Sequence, residues 1–319
     1  MPSNDQTSDI TRWASEDGHF RRQASVFRDT IEPNGAFPPE AGRYHLYVSF
    51  ACPWAQRTLI VRKLKGLEDA IGVTIVSPLL GENGWPFANA AAFPQAEEDS
   101  LHPEFKHLKE LYFQVNPEYK GRFTVPVLWD KKNETIVNNE SSEIIRILNT
   151  SFDQFSASEV QRKLDLYPEP LRGEIDATNS WVYDTVNNGV YKAGFATIQN
   201  AYDVAVKRLF ESLDRLEKIF SGDKNYLVGD QLTEADVRLY TTIVRFDPVY
   251  HGHFKCNLGS IRHDYPNINR WVKNLYWNNA AFKDTTNFSH IKTHYYWSHP
   301  QINPTRIVPL GPKVDIEPL

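Results

Sequence analysis

From Tyr44 to Phe50 the chain reads Tyr-His-Leu-Tyr-Val-Ser-Phe, an alternating aromatic and β-branched run that predicts a strand. Ala51-Cys52-Pro53 breaks it, and Trp54, Leu59, Ile60, Leu64 and Leu67 then recur close to helical spacing. Pro53 suits a first helical turn, where its missing N–H leaves nothing unpaired. Residues 73–76 predict a second strand. A loop rich in Gly, Pro and Ala, holding Trp85, follows from Pro78 to about Glu104; loops of that length are commonly functional. Residues 108–115 predict a short helix or turn, 124–129 a third strand with Pro126 near its start, and 135–138 the returning strand of a hairpin. Asn139-Glu140-Ser141-Ser142 opens a helix whose apolar residues are Ile144, Ile145, Ile147 and Leu148.

That order describes a small α/β layer with a mixed sheet. Beyond about residue 165 the pattern is almost wholly helical, clearest over 175–186, 202–220, 233–249 and 266–277. Thr233 carries an N-cap signal, with Asp236 three positions on. Residues 1–40, with Trp13, Phe20, Phe27 and Phe37 among polar neighbours, predict an extended arm laid on the body. Residues 293–319 contain five prolines and predict a surface coil. The expected domains are therefore 41–155, α/β, and 165–292, all-helical.

With 319 residues, 41% hydrophobic and 24% charged, the chain has the length and composition of a globular two-domain protein. A net charge of −5 and no basic stripe argue against a nucleic-acid partner. The two cysteines, Cys52 and Cys256, offer no disulfide framework, and the polar N-terminus does not read as a targeting segment. No apolar run approaches the roughly 20 residues of a membrane helix, so a reducing, cytoplasmic location away from membranes is expected. His251, His253, His290, His294 and His299 do not fall at zinc spacings, so no metal is expected. The absence of a G-x-G-x-x-G run or P-loop predicts no nucleotide cofactor. Cys256, in a polar stretch without a partner motif, reads as a bystander thiol.

Cys52 is the candidate nucleophile. A free cysteine is often just a small core residue, but one between a strand and a helix start meets unpaired N–H groups that favour an anion, which predicts easier ionisation. Cys52-Pro53-Trp54-Ala55 resembles the CxxC site of the thioredoxin superfamily with its second cysteine replaced by Ala55. A mixed disulfide formed there needs an outside thiol to open it, and glutathione is the obvious one. Val125-Pro126 resembles the cis-proline strand of thioredoxin-like folds, and Glu140-Ser141 the acid–Ser pair with which glutathione transferases hold the γ-glutamyl group.

Arg43 to Ala55, Gly84-Trp85-Pro86-Phe87, Asn187 to Ala196 (NNGVYKAGFA) and His294-Tyr295-Tyr296 together resemble the Xi-class glutathione transferases, or glutathionyl-hydroquinone reductases. The similarity runs from about residue 40 to Pro312. It implies the glutathione transferase fold: a thioredoxin-like glutathione-binding domain joined to an all-helical domain, in a homodimer. It implies glutathione as co-substrate and glutathionyl-hydroquinones as substrates, cleaved through a mixed disulfide on Cys52. By the same resemblance, Trp85 covers glutathione, Arg122 pairs with its glycyl carboxylate, and Val125 meets its cysteinyl unit. Glu140 and Ser141 take its γ-glutamyl end. Tyr183, Tyr295 and Tyr296 become candidates for catalytic hydroxyls, and Tyr191 for the second-substrate pocket. An Omega-like thioltransferase or dehydroascorbate reductase, a non-catalytic binder of glutathione conjugates, and an interaction module on the same fold stand as alternatives.

Overall fold

A computed structural model describes residues 17–222 and 224–319; Trp13 lies outside the described residues. Strand β1 (Tyr44–Val48) is buried along its whole length because it lies inside the sheet. It pairs parallel with β2 (Gly72–Ile75) and antiparallel with β3 (Val127–Asp130), and β3 pairs antiparallel with β4 (Thr135–Asn138). The order is β2-β1-β3-β4, the mixed sheet of a thioredoxin-like domain. Helix α1 (Pro53–Leu64) joins β1 to β2, α2 (Lys109–Val115) precedes β3, and α3 (Ser141–Thr150) follows β4 and packs on α1.

The remaining helices are α4 (Glu159–Lys163), α5 (Arg172–Val182), α6 (Gly189–Gly194), α7 (Gln199–Ile219), α8 (Glu234–Ile243), α9 (Ile261–Asp264), α10 (Pro266–Asn278), α11 (Ala280–Lys283) and α12 (Phe288–Ser298). Helix α8 packs against α1, so the helix that begins at the candidate cysteine lies against both domains. Among the described residues no helix is long and apolar enough to cross a membrane.

Several boundaries differ from the sequence expectation. The third strand starts at Val127 rather than Thr124, because Pro126 has no N–H to give the ladder. The helix expected over 233–249 ends at Ile243, and a wide turn, Phe246–Tyr250, follows with Pro248 inside it. The coil expected from residue 293 begins only after Ser298, because α12 extends through 293–298, started by Asn287 accepting from the His290 N–H. The arm does more than lie on the body. Asp29 N–H bonds Val137 O and Asn139 N–H bonds Phe27 O, so the arm covers the exposed edge of β4.

Helix α8 is fixed at its start by the capping box expected from Thr233 and Asp236. The buried Asp236 carboxylate accepts from the N–H groups of Leu227 (2.8 Å) and Thr233 (3.1 Å) and from the Trp271 indole (3.1 Å). Asp236→Ala should therefore lower the unfolding free energy by about 2–3 kcal/mol in urea titrations, since it strands three buried donors at once. A loss below about 0.5 kcal/mol, the range of an ordinary surface substitution, would show that the box does not hold α8.

Candidate active site

Cys52 is the N-cap of α1 (φ −77, ψ 119), followed by Pro53 at the first helical position. The backbone N–H groups of Trp54 and Ala55 lie on the sulfur's side of the helix start without capping it, and Sγ lies 3.6 Å from the Val125 carbonyl oxygen, beside the cis Val125–Pro126 peptide. Cys52 is only 9% exposed, and it lines a cavity between the two domains. Burial raises the thiol pKa, outweighing the Ala55 and Trp54 N–H groups and the cations of Arg22 and Arg245 that lower it. The expectation of easier ionisation is thus reversed, because a helix-start argument counts local donors and omits the segments that shut water out.

Those segments come from distant parts of the chain. From the arm, Phe20 stacks on Tyr191 (6.0 Å) and the Arg22 guanidinium lies 4.0 Å from the Trp54 ring centre. Ser25 lines the cavity beside Asn139 and donates to Glu140 Oε2 (3.1 Å). From α12, His294 stacks on Trp85 (4.8 Å), with its Nδ1 3.0 Å from Pro78 O. Burial lowers the His294 pKa to about 4 and His299 well below its ordinary value, so both rings are neutral near pH 7. The positive charge on the cavity wall is therefore carried by arginine, at Arg22 and Arg122.

A ladder of phenols stands opposite. Tyr191 Oη is 2.5 Å from Tyr295 Oη, which is 3.0 Å from Tyr250 Oη. Burial, then the proximity of Cys52, pushes Tyr191 up to about 12, and burial raises Tyr250 and Tyr295 well above their ordinary value. All three keep their protons at neutral pH, and Tyr191 and Tyr295, which line the cavity, can donate to an oxyanion there. Gly194 allows this packing, since a Cβ there would sit 2.2 Å from the Phe254 ring, against which Tyr191 also packs at 5.5 Å.

Of the residues singled out from sequence, Cys52, Trp85, Arg122, Val125, Tyr191 and Tyr295 surround this one cavity. Glu140 and Ser141 stand behind its wall. The Glu140 carboxylate caps α3 by accepting from the Ser142 N–H, and buried Ser141 faces Arg57. Tyr183 packs edge-on to Trp54 (5.8 Å) and Tyr296 contacts His253 (4.7 Å), both off the cavity wall. Sequence reasoning missed Arg22, Ser25, Asn139 and Tyr250. No spacing in the chain marks them, although Asn139 directly precedes the Glu140-Ser141 pair. Among the described residues no group of three or more His, Cys, Asp or Glu side chains could hold a metal ion.

The glutathione S-transferase N-terminal domain profile matches residues 51–151, and the C-terminal domain profile residues 199–274. A solved Xi glutathione S-transferase of Phanerochaete chrysosporium superposes with a TM-score of 0.93 at 66% identity, covering 96% of each chain. The chain belongs to the Xi-class glutathione transferase family. Among its relatives, glutathionyl-hydroquinone reductase YqjG of Escherichia coli is 53% identical over 95% of this chain and 92% of its own. The glutathione-bound structure of YqjG matches with a TM-score of 0.86 at 53% identity, covering 92% of this chain and 95% of that one. Glutathione S-transferase omega-like 2 of Schizosaccharomyces pombe is 58% identical over 97% of this chain and 98% of its own.

In this Xi-class protein the raised thiol pKa sets a pH dependence. The thiolate is the minor form at neutral pH and gains as pH rises through the raised value, so iodoacetamide should alkylate Cys52 with an inflection above the ordinary thiol value of about 8.5. Arg22→Ala should move that inflection further up, because a cation that favours the thiolate is lost. Cys256, fully buried with its own pKa raised, should stay unlabelled in the folded protein. An inflection below the ordinary value, or equal labelling of the two cysteines, would contradict this reading.

Proposed function

We propose that this enzyme reductively removes glutathione from glutathionyl-hydroquinones. The observation that carries the reading is one cavity holding a single thiol, cationic side chains and neutral phenol donors. The glutathione moiety lies with its cysteinyl unit along Val125, covered by Trp85, and with a carboxylate toward Arg122. Its γ-glutamyl end points to the corner of Ser25 and Asn139, with Glu140 and Ser141 behind it. The aromatic ring of the substrate lies toward Tyr191 and Tyr295.

The Cys52 thiolate attacks the glutathione sulfur of the conjugate, so an S–S bond forms and the aryl C–S bond breaks. The attack follows ketonisation of the ring, in which the carbon bearing sulfur takes a proton and one hydroxyl gives up its own; the bonding pair then passes into the ring as a dienolate, which takes a proton on oxygen and leaves as hydroquinone. Tyr191 and Tyr295 stay protonated and donate to the developing oxyanion, which favours C–S cleavage. With Ala55 where a second thiol would resolve the adduct, a free glutathione attacks the mixed disulfide and glutathione disulfide leaves. The sum is conjugate plus glutathione giving hydroquinone plus glutathione disulfide. A cytoplasmic homodimer belongs to the same proposal, on the family resemblance.

Turnover of a glutathionyl-hydroquinone should be abolished in Cys52→Ala and should fall about 10²–10⁴-fold in Tyr295→Phe and in Tyr191→Phe. Conjugation of glutathione to a chloronitrobenzene should be slow in the unaltered protein, because a thiolate on the enzyme favours exchange at sulfur. Substantial reductase activity in Cys52→Ala, or conjugation as the faster reaction, would overturn the proposal. Reduction of dehydroascorbate faster than of the conjugates would favour the Omega-like reading instead.

A further inference from the structure

Arg245 lies on the turn after α8 and is fully buried. From the helical domain it reaches across to the turn that carries Cys52. Its Nε donates to Ala51 O (3.0 Å), its Nη2 to Phe50 O (2.9 Å), and its Nη1 to Thr241 O (2.6 Å) and to Gln56 Oε1. The fork therefore grips the two carbonyls before Cys52 and a side chain one turn beyond it. Gln56 is held in turn by its Nε2, which donates to Thr286 Oγ1 (2.8 Å). The Cys52 N–H bonds Ser49 O (3.2 Å), so the peptide plane entering the cysteine is tied at both its oxygen and its nitrogen.

None of these acceptors is charged, which is unusual for a buried guanidinium, because buried charges are normally paired. The phenols of Tyr191, Tyr250 and Tyr295 hold their protons, so none of them supplies an anion at rest. The group nearby that becomes anionic in the proposed reaction is Cys52. We propose that Arg245 is a positioning residue that fixes the Cys52 turn from the helical domain and supplies a resident positive charge for the sulfur when it ionises. The direction in which Arg245 moves the Cys52 thiol agrees.

Other groups set the same titration. Arg22 comes from the arm, Arg57 from α1, Arg122 from the loop before β3, Tyr191 from α6, Tyr250 from the turn after α8, and His294, Tyr295 and His299 from α12 and the residue after it. They are unchanged in variants at position 245, so a shift of the Cys52 inflection reads Arg245 itself.

The test compares Arg245→Gln, Arg245→Lys and Gln56→Leu with the unaltered protein. It reads the pH profile of Cys52 alkylation by iodoacetamide, kcat and KM for a glutathionyl-hydroquinone, and thermal midpoint. Arg245→Gln should move the inflection up by about half a unit to one unit and lower kcat at least about tenfold. Arg245→Lys should bring the inflection back toward the original while kcat stays low, because an ammonium cannot span both carbonyls. Gln56→Leu, which keeps the cation and removes one grip, should lower kcat without moving the inflection. A folded Arg245→Gln with an unmoved inflection overturns the charge role, as does an Arg245→Lys inflection no lower than that of Arg245→Gln. If Arg245→Gln does not fold, Arg245→Lys and Gln56→Leu decide, and unaltered kcat in both overturns the positioning role. The proposal uses the reductase reading for its kcat arm, but alkylation needs no hydroquinone, so the two can fail separately.

Discussion

Strand β1 ends at Val48 and α1 begins at Pro53, and the short turn between them must present a thiol while burying two peptide carbonyls. Carbonyls turned away from water need donors. Here the donors for Phe50 and Ala51 come from Arg245 on the far side of the domain boundary. The seam between the domains is thereby part of the candidate active site, and whatever holds α8 in place also holds Cys52. The chain from the Asp236 capping box through α8 to Arg245 and then to the cysteine turn is continuous.

Burying the sulfur has a second consequence. A thiol under the arm and α12 resists ionisation, and the cavity answers with guanidinium groups rather than histidines, which burial holds neutral. The same burial keeps the phenols protonated. Low polarity thus disfavours the thiolate at rest and keeps the phenols as neutral donors. In the proposed reading, glutathione's charged ends meet the arginines of the cavity and the phenolic ring lies toward the wall of Phe20, Tyr191 and Phe195, whose rings pack on one another.

The parts of the site written locally in the chain were legible. The alternation ending at Phe50, Cys52 and then Pro53, and the Thr233–Asp236 cap each depend on neighbours within a few residues. What depends on chain closure was not. Arg22 and Phe20 reach the cavity because an arm with no periodic pattern follows the edge of β4. The last turn of α12 is hidden from periodicity because apolar and polar side chains alike are buried on it, His294, Tyr295 and Ser298 among them. Tyr183 stands off the cavity wall that Tyr191 lines because the wide turn Tyr183–Asn187 separates α5 from α6 and changes the helical phase between them, which no local spacing announces. The Cys52 thiol was expected to ionise easily because its local donors are visible in sequence and its desolvation is not.

The central claim is that catalysis passes through a covalent adduct on one sulfur. Mixing the enzyme with a stoichiometric amount of a glutathionyl-hydroquinone, with no free glutathione present, tests it directly. The account predicts a single burst of hydroquinone, about one equivalent per chain, and a protein heavier by about 305 Da on Cys52, the mass of a glutathione added through a disulfide. Adding glutathione should then restore the original mass and permit a second burst. Hydroquinone release without an adduct, an adduct on Cys256, or no release until free glutathione is added would contradict the account.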